Sequence, residues 1–414
     1  MRVSIHRGTK EIGGNCIEIE ASDGSRIVLD VGRPLAALRE EHVSLPEIAG
    51  FEQPNASLLG VIISHGHQDH WGLISQVPAR VPVYIGEAAN NILKEASFFS
   101  TGVKLDPAGF LRHREPFILG PFEITPFLND HSAFDTYSLL IEADGKRLFY
   151  SADLQGHGRK ARVFEELLRN PPANVDVLLM EGTTLKPEGT PHDGMTERQL
   201  EAALADAIQA APGIVLAMYA AQNIDRLVTW FRACRRAGRL LVVDLYTASI
   251  AKATGNKNIP QGGFDNLLVY VPQRQRIQVK QSGEFERVND VRGSRIFPES
   301  LAPRRKDLVL TFRASMIREI ERAGCLDGAT AIWSMWPGYL EQPGARALLD
   351  FLDRRQIPLI KLHASGHAYM RDLRRFARAM APTRIVPIHS SAPHRFGEFF
   401  DAVELHDDGQ WWEC

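Results

Sequence analysis

Short apolar runs recur along the chain, and four of them stop on a carboxylate: Ile27-Val28-Leu29-Asp30, Leu148-Phe149-Tyr150-Ser151-Ala152-Asp153, Val177-Leu178-Leu179-Met180-Glu181 and Leu241-Val242-Val243-Asp244. Runs of this length read as buried strands. Between them, helical patterns cover Ala88 to Phe98, Lys160 to Arg169, Glu197 to Ala210, Asn223 to Ala237, Ala345 to Arg355 and Tyr369 to Met380. Strand and helix mixed through the whole length predict a layered α/β protein. Ligands collect at strand ends in such sheets, which places the four carboxylates for chemistry; each could equally cap the turn or helix that follows.

Composition narrows this little. At 414 residues the chain exceeds one small core, so two domains, or one with a large insertion, are expected. Apolar content of 44% with 24% charged residues excludes a disordered chain. A net charge of −2 gives no global basic field, so any nucleic-acid surface must be local. The best local patch is the polar, basic stretch from Val271 to Lys306, which a solvated face would explain as well. The stretch Pro187 to His192 is turn-rich. Cys16, Cys234, Cys325 and Cys414 are far apart and form no CxxC pair, which predicts reduced thiols. No run approaches the roughly 20 apolar residues of a membrane span and the first residues carry no signal core, so the expectation is a cytoplasmic protein with no membrane partner.

The chemistry concentrates in His65-Gly66-His67-Gln68-Asp69-His70, directly after the strand-like Val61-Ile62-Ile63. A chain leaving that strand extended puts His65, His67 and Asp69 on one side, and a local turn brings in His70. Imidazole and carboxylate donors suit zinc or a similar first-row ion, and this spacing points to two adjacent ions rather than one closed structural site. His131 follows another strand-like run, and Asp153, at a strand end, could bridge two ions. Downstream come His363-Ala364-Ser365-Gly366-His367 and Ile385-Val386-Pro387-Ile388-His389. Ser365 and Gly366, just before the helical pattern from Tyr369, suggest an anion cradle at a helix N-terminus.

These motifs, in this order, resemble the metallo-β-lactamase fold in its β-CASP branch of nucleic-acid-processing enzymes, the group that includes ribonuclease J. Gly8 to Asn15 is similar to the family's first-strand loop, Asp30 to its first motif, His65 to His70 to its second, His131 to its third and Asp153 to its fourth. Glu181 resembles the acid of motif A, His367 the histidine of motif B and His389 that of motif C; Ala221 to Arg226 is similar to the segment that opens the β-CASP domain. The chain departs from the family pattern at Gly182, Ala152 and Ser390, and it closes at Cys414 soon after motif C, without the C-terminal domain of ribonuclease J. Trp411-Trp412 suits a core or an interface. The segment Asp153 to Lys160 looks like a subgroup signature, in which His157 fits a capping or surface role.

The resemblance implies an αββα metallo-β-lactamase sandwich, residues 1–190 and 359–414, with a β-CASP domain inserted at 191–358. It implies two zinc ions, with Mn2+ as an alternative, one held by His65, His67 and His131 and the other by Asp69, His70 and His389, with Asp153 bridging and Asp30 orienting a ligand histidine from behind. Asp69, Asp153, Glu181 and His367 are then the catalytic residues, and His363, Ser365, Gly366, Asn223 and Arg226 the substrate-binding ones. The implied activity is hydrolysis of single-stranded RNA, as a 5′ exonuclease, an endonuclease or both, by a two-metal-activated hydroxide. RNA is favoured over DNA as the partner, and a homo-oligomer is compatible. A β-CASP DNA nuclease of repair or defence, a small-molecule metallo-hydrolase and a catalytically dead RNA-binding subunit are the other readings.

Overall fold

Alternation decides the layers of the first unit. In the strand Tyr137–Ala143, Tyr137, Leu139, Ile141 and Ala143 enter one buried cluster while Leu140 enters another; in Val177–Glu181, Val177 and Leu179 part in the same way from Leu178 and Met180. Strands apolar on both faces must be covered on both. The computed structural model, which describes residues 1–38, 41–100 and 102–414, supplies the covers. One sheet runs in the order Trp411–Glu413, Arg2–Arg7, Cys16–Glu20, Arg26–Leu29, Leu58–Ile62, Val83–Gly86, Gly109–Leu111. The second runs Arg384–Ile388, Val177–Glu181, Lys146–Tyr150, Tyr137–Ala143, Phe122–Leu128, Phe117–Leu119. Their inner faces meet in a core that includes Val3, Ile5, Ile17, Ile27 and Leu29 from the first sheet and Phe122, Ile124, Leu148, Tyr150 and Leu179 from the second. Helix residues Ala89 and Leu93 join the outer face of the first sheet, and Phe164, Leu167, Leu373 and Phe376 that of the second. The result is an αββα sandwich.

Chain contacts divide the molecule into two units: Met1–Lys94, Val103–Gly194 and Gly366–Cys414 form the first, and Glu95–Gly102 with Met195–Ser365 the second. The divisions fall a few residues after the expected 190 and 358. The inclusion of Glu95–Gly102 was not foreseen. Its reason is aromatic packing inside the second unit, where the Arg287 guanidinium lies 4.1 Å from the Phe98 ring centre and Phe99 lies 5.1 Å from Tyr246. Periodicity within the helix Glu87–Phe99 carries no sign of that.

The second unit is a parallel sheet in the order Arg295–Ile296, Leu267–Tyr270, Leu240–Asp244, Leu308–Thr311, Val215–Met218, Thr330–Trp333, Leu359–Lys361. All carboxyl ends therefore share one edge, where ligands of open α/β sheets bind. The helix Glu197–Ala210 begins at a capping box in which Thr196 and Gln199 satisfy each other's backbone N–H groups. Asp244 takes the capping option: its carboxylate accepts from Thr247 N–H at 3.0 Å at the start of the helix Leu245–Ala253, and pairs with Arg313 at 2.7 Å. The terminal tryptophans also have places. Trp412 is buried in the sandwich core, while Trp411 is half exposed under the Arg2 guanidinium. All four cysteines are buried and unpaired, and no helix among the described residues is long and apolar enough to cross a membrane.

Candidate metal centre

The strand Leu58–Ile62 delivers the histidine loop, but the chain stays extended only as far as His67. There the backbone turns into the short helix Gln68–Trp71, pinned by Trp71 Nε1 donating to Gly66 O at 2.9 Å. The expected alternation of His65, His67 and Asp69 on one side therefore stops at Gln68. The turn divides the motif between two donor groups: His65, His67, His131 and Asp153 in one, Asp69, His70, Asp153 and His389 in the other, each with its donor atoms within 4.8 Å of one another. A third group of the same span, Asp153, Glu181, His367 and His389, shares the same central carboxylate.

The donor atoms crowd as ligands of a cation do. His131 Nε2 lies 3.0 Å from His67 Nδ1, His70 Nε2 lies 3.2 Å from Asp153 Oδ2, and His389 lies 3.1 Å from Asp69 Oδ2 through Nε2 and 3.3 Å from Asp153 Oδ1 through Nδ1. Two nitrogens on one tetrahedral zinc sit about 3.3 Å apart. His65 Nε2, His70 Nε2 and both oxygens of Asp153 are buried and accept or donate no well-formed hydrogen bond. Buried polar atoms are almost always satisfied, so orphans converging from several elements fit a divalent cation.

Other groups fix which atoms face inward. His70 Nδ1 donates to Asp30 Oδ2 at 2.7 Å, and Asp30 also accepts from Ser64 N, Ser64 Oγ and the Tyr150 hydroxyl. His65 Nδ1 bonds Ser64 Oγ at 3.0 Å, and His131 Nδ1 bonds Gly366 O at 2.7 Å. In each imidazole this leaves Nε2 as the donor toward the cluster, as partners behind metal ligands do elsewhere. The 131–Gly366 approach needs glycine, since a Cβ at 366 would meet Ser132 Oγ at 2.7 Å. Tyr150, Ser64 and Ser132 were missed by sequence reasoning, and nothing in their local pattern marks them.

Burial holds His65 and His131 well below the usual imidazole range and His67 down to about 4, so all three are neutral and able to ligate. Burial acts the same way on His70, but Asp153 and Asp30 outweigh it and raise that group. Burial would raise Asp153, yet the surrounding histidines hold it well below the carboxylate range. His367 behaves differently. Burial pushes it down, but Glu181 and Asp153 overcome this and lift it to about 9, with Nδ1 3.1 Å from Glu181 Oε2. Glu181 also accepts from Leu154 N–H at 2.8 Å and Thr183 N–H at 3.3 Å, so its oxygens are already engaged where those of Asp153 are not. That favours the first two donor groups over the third.

Gly182 has a steric origin: a Cβ there would meet the Phe396 ring at 2.6 Å and Ser390 Oγ at 2.9 Å. The neighbouring hydroxyl, Thr183 Oγ1, lies 3.0 Å from His389 Nδ1. Ala152 adopts a positive φ of 48°, a position glycine would fill without strain. The Asp153 to Lys160 segment closes around His131 from behind: Asp130 accepts from Gly158 and Lys160 N–H, and Lys160 Nζ donates to His131 O at 2.7 Å. His157 is neither a surface residue nor part of the donor groups. It is buried and stacks on Tyr369 at 4.2 Å, with Asp372 3.7 Å away.

The residues expected to touch substrate fare less uniformly. Arg226 is only 1% exposed; its guanidinium is held by Glu197 at 2.9 Å and donates to the Ser334 and Ala364 carbonyls. It therefore braces the His363 to Ser365 segment instead of meeting a ligand. Asn223 caps the helix Ile224–Arg236, accepting from Arg226 N–H at 2.8 Å. His363 and Ser365 remain half-buried. The helix expected from about Tyr369 runs from Met370 with Tyr369 as its N-cap, a few residues after Ser365 and Gly366, and its first turn carries the buried Asp372. The basic stretch also divides. Arg276 and Lys280, with Arg322, line a cavity of about 600 Å³ beside the helix Gln273–Ser282, whereas Arg304 to Lys306 precede the strand Leu308–Thr311 at the opposite, amino edge of the sheet.

Comparison with known proteins agrees with this architecture. A model described as a beta-lactamase superfamily domain matches residues 28–218, and one described as a Zn-dependent metallo-hydrolase RNA specificity domain matches residues 357–394. The chain is 24% identical over 412 residues to ribonuclease J of Helicobacter pylori, covering 94% of this chain and 55% of that one. It is 23% identical over 418 residues to ribonuclease J of Mycobacterium tuberculosis, covering 94% and 69%. The chain thus spans about half the length of the Helicobacter relative. A crystal structure of a protein of unknown function from Enterococcus faecalis V583 shares the fold over 99% of both chains, with a TM-score of 0.77 at 20% identity.

Proposed function

We propose that this chain, a β-CASP protein of the metallo-β-lactamase superfamily similar to ribonuclease J, is a zinc-dependent ribonuclease that hydrolyses phosphodiester bonds of single-stranded RNA. One observation carries the reading: two donor groups of buried histidines and carboxylates share Asp153, whose two oxygens are otherwise unsatisfied. His65, His67 and His131 would hold one ion, Asp69, His70 and His389 a second, with Asp153 between them. Two such ions lower the pKa of water to about 7 and offset the charge that gathers on the phosphoryl oxygens.

The protein's own groups do the rest. Asp30, backed by Tyr150 and Ser64, holds the His70 ring in one orientation and one tautomer. Asp69 or Asp153 orients the attacking water. As the water oxygen bonds to phosphorus, the bond to the departing nucleoside oxygen breaks, and that oxygen needs a proton. His367 supplies it: Nδ1 is turned to Glu181, so transfer falls to Nε2, and the Glu181 carboxylate beside the ring favours its protonated form. His363 and Ser365, which directly precede Gly366 and His367 in the chain, seat the phosphate, with Arg226 bracing their backbone. RNA is preferred to DNA because the relatives are ribonucleases by name and the matched C-terminal domain is described by RNA specificity.

Purified protein given Zn2+ or Mn2+ with matched 5′-labelled single-stranded RNA and DNA, products resolved by length, tests this. Cleavage of RNA in preference to DNA is expected, and the product ladder separates 5′ exonucleolytic from internal cutting. Inertness toward both polymers, with turnover of a thioester or lactone, would overturn it.

A further inference from the structure

Most large aromatic side chains of the second unit are buried, but the turn leaving the strand Thr330–Trp333 presents two to solvent. Trp336 is 53% and Tyr339 44% exposed, their ring centres 5.4 Å apart and perpendicular. The turn is firmly built. Ser334 N–H donates to Met218 O at 2.9 Å, Trp333 Nε1 donates to Trp336 O at 3.3 Å, and Arg226 donates to the Ser334 carbonyl. The one-turn 3-10 helix Pro337–Leu340 follows, anchored by buried Leu340. A Cβ on Gly338 would come within 2.2 to 2.5 Å of the Trp336 ring, so only glycine lets the indole lie against this backbone. The indole lies over the Gly338 backbone with the Tyr339 ring beside it.

Its place in the sheet suggests an occupant. Trp333 is in register with Lys361 on the neighbouring parallel strand, and Leu362 N–H donates to Trp333 O at 3.0 Å. The aromatic turn and the segment His363 to Ser365 thus leave adjacent strands at the same carboxyl edge, and the Arg226 guanidinium ties Ser334 of the one to Ala364 of the other. The two exposed ring surfaces amount to roughly 200 Å², against about 800 Å² per partner in a stable protein interface. That area suits one or two planar groups. We propose that Trp336 and Tyr339 form a stacking platform for bases of single-stranded nucleic acid, next to the segment that seats its phosphate. The identity of the polymer rests on the ribonuclease reading; the platform itself rests on the rings and their backing.

Binding of a short 5′-labelled single-stranded RNA to the full chain, in EDTA to stop hydrolysis, tests it. Trp336→Ala is expected to weaken binding about five-fold or more, Trp336→Phe to keep most of the affinity, and Tyr339→Ala to fall between. Placing one abasic site at each position in turn should reveal a position whose loss weakens the wild-type protein but not Trp336→Ala, a signature that a packing role for the indole would not give. Equal affinity of Trp336→Ala and wild type overturns the platform, as does a wild-type dimer in light scattering that Trp336→Ala breaks. Hydrolysis with added zinc, measured separately, tells the two readings apart: absent cleavage with intact abasic signatures removes only the ribonuclease assignment, and cleavage without them removes only the platform.

Discussion

Among the described residues Asp153 belongs to every donor group, which sets it apart from its neighbours. Asp153→Ala should strip the protein of both ions and of all hydrolysis, whereas His67→Ala should lose one ion and leave part of the second; elemental analysis of the two purified variants decides it. His367 gives a second test. A general acid works while protonated, so the rate falls as pH rises through its pKa, and Glu181 is the chief charge holding that pKa up. Glu181→Gln should therefore move the alkaline limb of the pH–rate profile down by about one unit or more, and an unmoved limb would assign the proton to another group. The donors themselves were legible in the sequence because six consecutive residues carry four of them. Their supports were not: Tyr150 reads as one more apolar position of a strand, and Ser64 as a strand end, until folding brings both onto Asp30.

Strands and helices were likewise readable, since periodicity reports which faces are covered. The expected helix Glu197 to Ala210 has the bounds of the observed one, and Asn223 to Ala237 differs only by its caps. What each element does with its polar residues was harder to see. Asp244, one of four carboxylates at strand ends, serves the fold. Burial would raise its pKa, but Arg313, 28% exposed and 2.7 Å away, holds it below the usual range. A depressed carboxylate stabilises the fold above its unfolded-state pKa of about 3.9, and that contribution fades as pH falls below it. Arg313→Met leaves the buried anion without its countercharge, so at pH 7 the variant should lose about 3 kcal/mol in urea unfolding and regain part of it toward pH 5, a window in which the wild-type contribution of this pair stays flat. A parallel acid dependence in both proteins would contradict the pairing. The basic stretch shows the same limit of a linear reading: Arg276 and Arg304 are close in sequence, yet a strand order that is not the chain order sends them to different edges of one sheet.

The first unit is assembled from three chain segments, and its donors run from His65 to His389. Its first sheet is completed by pairing Val3 with Trp412 and Ser4 with Trp411. Trp412 fills the core between the sheets, so Trp412→Ala should cost about 3–5 kcal/mol, read as a lower melting temperature; an unchanged melting temperature would make that strand dispensable. The discontinuity of the domains was legible as an insertion, since motifs of one site reappear after a long run of another character, but their seams were not, because tertiary packing draws Glu95–Gly102 into the second unit. The edge pairing of residues 2–4 with 411–413 bears on how the protein is made. On the ribosome, the strand Arg2–Arg7 has to wait for a partner synthesised some four hundred residues later. Meanwhile Met195–Ser365 has the local parallel crossovers to condense while translation continues. Through that interval Val3 and Ile5 lack part of their eventual cover, and that apolar edge stays open to wrong pairings until Trp412 arrives.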